Sequence, residues 1–235
     1  MRGHLLGFAA LLTGLILTSA GSSADQDEPA PEYPKIGAAV PGPFHVLNYN
    51  GASQGRYHCL ICRYSTRPVA AILARLRIDK DDDGLKQLEP DQPLGKLIKA
   101  LDAINDKHPD AYLGTFAVFV GEKAPGESED DQEAVRTKLR ALTKEAGLKQ
   151  FVFGWDGKTE SKAYFGDPKG DGSKGLKWGE PGIRVLLYNN YKIIEQHDFT
   201  KDKPLTDQEA AAIAASYAKL VPPPFINRKK PKADN

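Results

Sequence analysis

From residue 68 onward the apolar positions switch repeatedly between two spacings. Leu94, Leu97, Ile98, Leu101 and Ile104 recur with the period of a helix, and Leu113–Val120 (LGTFAVFV) follows as a compact β-rich run. Val135, Leu139, Leu142 and Ala146 return to helical spacing. Gly147 is placed to end that helix as a left-handed cap, and Phe151-Val152-Phe153 reads as a strand. Ile183–Tyr188 (IRVLLY) and Lys192–Phe199 (KIIEQHDF) form a hairpin around a turn at Asn189-Asn190, since Asn tolerates the positive φ such turns need. Thr206 with Glu209 three residues on makes a capping box, and Ala212, Ile213, Tyr217 and Leu220 give the closing helix its apolar stripe. The order predicts an α/β domain over 68–221, with no internal repeat.

Pro68–Leu76 (PVAAILARL) admits two assignments. As a helix, Val69, Ile72, Leu73 and Leu76 share a face, Pro68 takes N1, and Phe44–Asn48 is the preceding strand. As a strand, the run opens the sheet and the Leu94–Ile104 helix carries the chain across to Leu113–Val120. The strand assignment is preferred because it uses each element once and keeps connections short.

The ends read differently. Residues 1–24 place Arg2 and His4 before the apolar stretch Leu5–Leu17 and finish in small residues, the pattern of a secretory signal peptide cleaved near Ala20 or Ala24. A secreted or periplasmic protein follows, without a membrane contact after cleavage. Residues 25–43 carry five prolines and read as an extended linker; 44–67 is expected to be an extended arm, and 222–235 a basic tail. Of 32 Lys+Arg against 31 Asp+Glu, the leader holds only Arg2, so the processed chain is formally neutral, which argues against a nucleic-acid partner. A protein partner is left open, as is the oligomeric state. With 40% hydrophobic residues and only 2 Cys, stability has to come from an apolar core rather than a disulfide framework.

Strand and helix in alternation, a Pro-led hairpin and a closing helix resemble the thioredoxin-like superfamily over roughly residues 65–220. The closest pieces are Cys59-Leu60-Ile61-Cys62 and Pro181-Gly182-Ile183-Arg184-Val185-Leu186-Leu187-Tyr188, the latter similar to the family's cis-proline and the strand after it. RYHCLICRYSTRPVAAILAR and YKIIEQHDF are also similar to a group of secreted bacterial proteins in that superfamily, which implies a fold and no activity. The resemblance implies a three-layer α/β/α arrangement with a mixed sheet, preceded by the signal peptide and the Pro-rich arm. In redox-active members the CxxC follows a strand and opens a helix, so that the thiolate of the first Cys is stabilised. If Pro68–Leu76 is a strand, Cys59 and Cys62 stand at its start and Pro181 near its far end, roughly 25 Å away at about 3.3 Å per residue.

The cysteine pair therefore carries three readings. It is a structural disulfide in a binding scaffold, the preferred one; or a thiol–disulfide oxidoreductase site in which Cys59 attacks, Cys62 resolves, Pro181 shapes the substrate groove, and His58 and Arg63 favour the thiolate; or a Cu or Zn site completed by His58 and a distant His197. No cofactor is implied, and no metal ligand set is assigned. Asp79-Lys80-Asp81-Asp82-Asp83-Gly84 opens like a calcium loop but has Pro90 at the closing position, so a solvated acidic loop is preferred. Nucleotide-binding glycine loops, a G-x-S-x-G elbow and an H-E-x-x-H helix are absent. Trp155 and Trp178 flank the glycine-rich stretch 156–179 and are expected to cap the core edge; His197 is expected to be exposed.

Overall fold

The computed structural model describes residues 34–75, 86–120, 129–156, 162–165 and 182–223, all within one compact unit. The calcium-like stretch 79–84, Trp178, Pro181, the leader and the basic end lie outside the described residues. Seven strands form one mixed sheet in the order β2-β1-β5-β4-β3-β6-β7. They are β1 (Val46–Asn48), β2 (Tyr57–His58), β3 (Val69–Arg75), β4 (Gly114–Val120), β5 (Val152–Asp156), β6 (Gly182–Asn189) and β7 (Lys192–Thr200). The helices are α1 (Leu60–Tyr64), α2 (Pro93–Lys107), α3 (Glu129–Glu145), α4 (Lys162–Phe165) and α5 (Asp207–Lys219). Among the described residues no helix is long and apolar enough to cross a membrane.

Of the run Pro68–Leu76, Val69–Arg75 is a strand, and Leu76 lies outside the described residues. All seven residues of β3 are buried. β3 pairs in parallel with β4 (Val69↔Gly114 through Ala74↔Phe119) and antiparallel with β6 (Val69↔Tyr188 through Arg75↔Gly182). Ala70, Ile72 and Ala74 face one core cluster; Val69, Ala71 and Leu73 face the other. A run that buries both faces needs a layer on each side, and the helices supply them. On one face Leu94, Leu97, Ile98 and Leu101 of α2, Leu139 and Leu142 of α3, and Ala210, Ile213 and Tyr217 of α5 close the first cluster. On the other, α1 and α4 join Val40 and Phe44 over the second. Residues 44–67, expected as an extended arm ahead of the domain, instead supply two strands and a helix to it, because β1 pairs antiparallel with β5 and α1 covers the sheet.

Local chemistry fixes these elements. Thr206 and Glu209 close the capping box of α5, and Gly147 (φ +66) follows α3 as expected. The hairpin turn sits one residue later than expected, with Asn190 and Tyr191 at φ 50 and 60. Asp102 in α2 accepts N–H groups of Lys149, Gln150 and Phe151 at 2.9, 2.7 and 2.7 Å, pinning the entry to β5. A buried network ties α5 to α2 and β4: the Tyr217 hydroxyl meets Asn105 Oδ1 and the Gly114 carbonyl at 3.0 Å each, while Asn105 Nδ2 donates to Thr115 Oγ1 at 2.8 Å.

Burial pushes the Tyr49 hydroxyl up to about 12 and raises Tyr64, Tyr164, Tyr188 and Tyr217 as well. A folded value above the unfolded one near 10 leaves stability untouched at neutral pH and removes it as pH rises. Resistance to urea is therefore expected to fall steadily from about pH 10 to pH 12, together with delayed tyrosinate absorbance in the folded protein; unchanged stability across that window contradicts the burial.

Two glycines let α1 lie flat on the sheet. A Cβ at Gly114 would stand 2.5 and 2.7 Å from the Tyr64 ring and 2.9 Å from Val69, and one at Gly154 would stand 2.7 Å from Val46 and 3.5 Å from Leu60. Gly114→Ala should cost about 1–3 kcal/mol, and the cost should shrink in a Tyr64→Ala background because the clashing ring is gone. A double-mutant cycle by urea unfolding that gives simple additivity would refute this packing.

Candidate functional site

Cys59 follows β2 and is the N-cap of α1. Its extended backbone (φ −81, ψ 106) turns its sulfur toward the first turn, where Sγ accepts the Cys62 N–H at 3.0 Å. Three residues on, Cys62 closes a disulfide to it, with a Cα–Cα separation of 5.3 Å. Leu60, Ile61 and Tyr64 point into the core, and the Tyr64 ring stacks on Phe116 at 5.9 Å. Burial is unequal across the bridge: Cys59 is 5% exposed, whereas Cys62 is solvent-exposed. Ser65, with φ 50, ends the helix, its N–H donating to the Ile61 carbonyl. The chain then enters β3 at Val69.

The sheet register decides what else can reach the pair. Tyr188, not the leading end of β6, stands opposite Val69; Gly182, which follows Pro181 in sequence, stands opposite Arg75. His58 pairs with Val46, whose row runs through Asp156 and Val120 to Arg75 and Gly182. Cys59 thus leaves the sheet at the same end as the start of the hairpin and is separated from it across the strands, β2 and β6 standing five spacings or about 24 Å apart. His58 and His197 are also not brought together: β2 and β7 are the two edges of the sheet, six strand spacings or roughly 29 Å apart. Among the described residues no three His, Cys, Asp or Glu side chains are grouped to hold a metal. His197 is half-buried rather than exposed and meets Glu195 at 3.0 Å, and Trp155 packs into the core.

Sequence reading missed two buried polar features. Arg184 is fully buried on β6, and its guanidinium is bidentate to Asp198 (Nε–Oδ1 2.6 Å, Nη2–Oδ2 2.7 Å) while Nη1 donates to the Tyr164 carbonyl at 2.7 Å. With Arg75 over the Phe165 ring at 5.0 Å, it makes a cationic layer at the far end of β3. Asn48, also fully buried, has neither amide atom hydrogen-bonded among the described residues. Asn48 shares the α1 face of the sheet with Val46 and Val152, and β1 offers only three residues from which to recognise it.

β3, α2 and β4 make a parallel unit; β6 and β7 add antiparallel on the other side of β3, and α5 packs beside α2. The fold is thioredoxin-like. No family model and no curated protein matches the sequence. Solved structures similar to it include peroxidoxin BcpB from Mycobacterium tuberculosis (11% identity, TM-score 0.45, 81% of this chain and 100% of that one). A thiol:disulfide interchange protein from Bacteroides sp. (10%, 0.45, 83% and 96%) and a mitochondrial 2-Cys peroxiredoxin from Plasmodium falciparum (10%, 0.46, 80% and 94%) are similar to about the same extent. Likeness at this level says nothing about a shared activity. Within the thioredoxin-like framework, the pair keeps the local strand–CxxC–helix order, but on the edge strand β2 and a five-residue helix, ahead of the central strand rather than after it.

An unpaired buried amide costs about 1–3 kcal/mol. Asn48→Leu is expected to leave the fold intact and raise the thermal midpoint; a lowered midpoint would mean that the amide holds a partner.

Proposed function

We propose that the protein is a secreted thioredoxin-like binding scaffold in which Cys59–Cys62 is a structural clasp. The observation that carries this reading is the placement of the disulfide: Cys59 is sealed in the core and follows the edge strand β2, which stands five strand spacings or about 24 Å across the sheet from Gly182 on β6. A side-chain groove spanning that width cannot form around one substrate disulfide. The leader-like residues 1–24 support export to a compartment where such a pair stays oxidised. The clasp closes the first turn of α1, and the intact sheet presents its edges to a protein partner.

The second reading, a thiol–disulfide oxidoreductase acting on extracytoplasmic proteins, draws support from the exposure of Cys62 and the N–H donated to Cys59 Sγ. The reduction potential separates the two. A clasp is expected below about −300 mV with no insulin-reduction activity lost in Cys59→Ser; a potential near that of thioredoxin, about −270 mV or higher, with turnover that disappears in Cys59→Ser, favours the enzyme. For the clasp, chain entropy assigns a loop this short about 2 kcal/mol, so reduction should lower the unfolding free energy by that order without abolishing folding.

A further inference from the structure

We propose that Cys62 is the reactive sulfur of the pair and a site of reversible S-thiolation by an anionic low-molecular-weight thiol. A thiolate attacks a disulfide sulfur from the side opposite its partner, so the sulfur that faces water is the one attacked. That sulfur belongs to Cys62: Cys59 is packed in the cluster containing Val46, Leu60 and Val152, whereas Cys62 is on the outer side of α1. This reverses the roles expected from the sequence, in which Cys59 attacks and Cys62 resolves.

The incoming thiolate RS⁻ forms an S–S bond to Cys62 Sγ, the Cys59–Cys62 bond breaks, and its electron pair leaves with Cys59 as a thiolate. The product is a Cys62–S–S–R mixed disulfide. The departing Cys59 sulfur already accepts the Cys62 N–H at 3.0 Å, a hydrogen bond that strengthens when the sulfur gains charge. In the return step Cys59 attacks Cys62 Sγ and expels RS⁻. Leu60, Ile61 and Tyr64 remain buried throughout, so α1 keeps both sulfurs in reach.

The class of thiol follows from local charge. No Asp or Glu occurs from Tyr33 to Ile78 in a chain that is otherwise balanced, and Arg56, Arg63 and Arg67 lie within eight residues of one or other cysteine. Such a stretch attracts carboxylate-bearing thiols of the glutathione type and repels aminothiols.

The test uses the full chain after leader removal. Cys59→Ser and Cys62→Ser, each shown folded by near-UV circular dichroism, are incubated with glutathione disulfide, and the mixed disulfide is followed by intact mass. Cys59→Ser is expected to take up one glutathione at least tenfold faster than Cys62→Ser, with the gap closing in urea. The same preference should hold in the fully reduced wild type, where limiting iodoacetamide labels Cys62 first, which keeps the test valid if a variant fails to fold. Cystamine should react with Cys59→Ser more slowly than glutathione disulfide, the difference fading at high salt. Equal or faster modification of Cys59 in the folded protein overturns the assignment of the reactive sulfur, and faster reaction with cystamine overturns the anionic class. Neither result bears on the clasp, which stands or falls on the potential.

Discussion

The burial of β3 on both faces and along both edges is the constraint from which the other elements take their places. Before Arg75 its side chains are small or aliphatic, with alanine at positions 70, 71 and 74, so the layers above and below can approach closely. One layer is built by α2, α3 and α5. The other is built largely from residues before β3, and α1 can serve there only because Gly114 and Gly154 leave room for Tyr64, Leu60 and Val46. The disulfide sits where this second layer begins. Its position is therefore a by-product of how the central strand is covered, and its distance from the hairpin's leading end follows from the strand order, which sets β2 and β6 five spacings apart.

Much of the fold was legible in the sequence because each element carries its own periodicity and punctuation. Thr206 with Glu209 and Gly147 mark helix ends by local hydrogen bonding and backbone freedom, which do not depend on tertiary context. β3 was ambiguous for the opposite reason. A run of nine residues that is apolar everywhere except Arg75 shows no clear period, and only the economy of connections separates strand from helix. Residues 44–67 carry no such signal in the sequence, because β1 and β2 are three and two residues long, too short to show alternation, and α1 has five residues. Those elements exist because the sheet edge and the core recruit them.

The buried pair Arg184–Asp198 shows how a small register error hides a large feature. A turn at Asn189-Asn190 would bring Arg184 opposite Glu195. The turn one residue later, together with a bulge between Leu187 and Tyr188, brings it opposite Asp198 instead. A lone arginine inside an apolar strand was visible; its partner was set by two single-residue offsets that side-chain patterns do not encode. Once paired and bonded to the Tyr164 carbonyl, the guanidinium anchors α4 over the sheet.

The three inward anchors of α1 have a consequence for how the molecule looks from outside. Leu60, Ile61 and Tyr64 hold the helix through apolar contact and ring stacking, none of which requires the sulfur–sulfur bond. Oxidised and reduced forms would then share one outline, and a protein docked elsewhere on the sheet would be blind to the redox state.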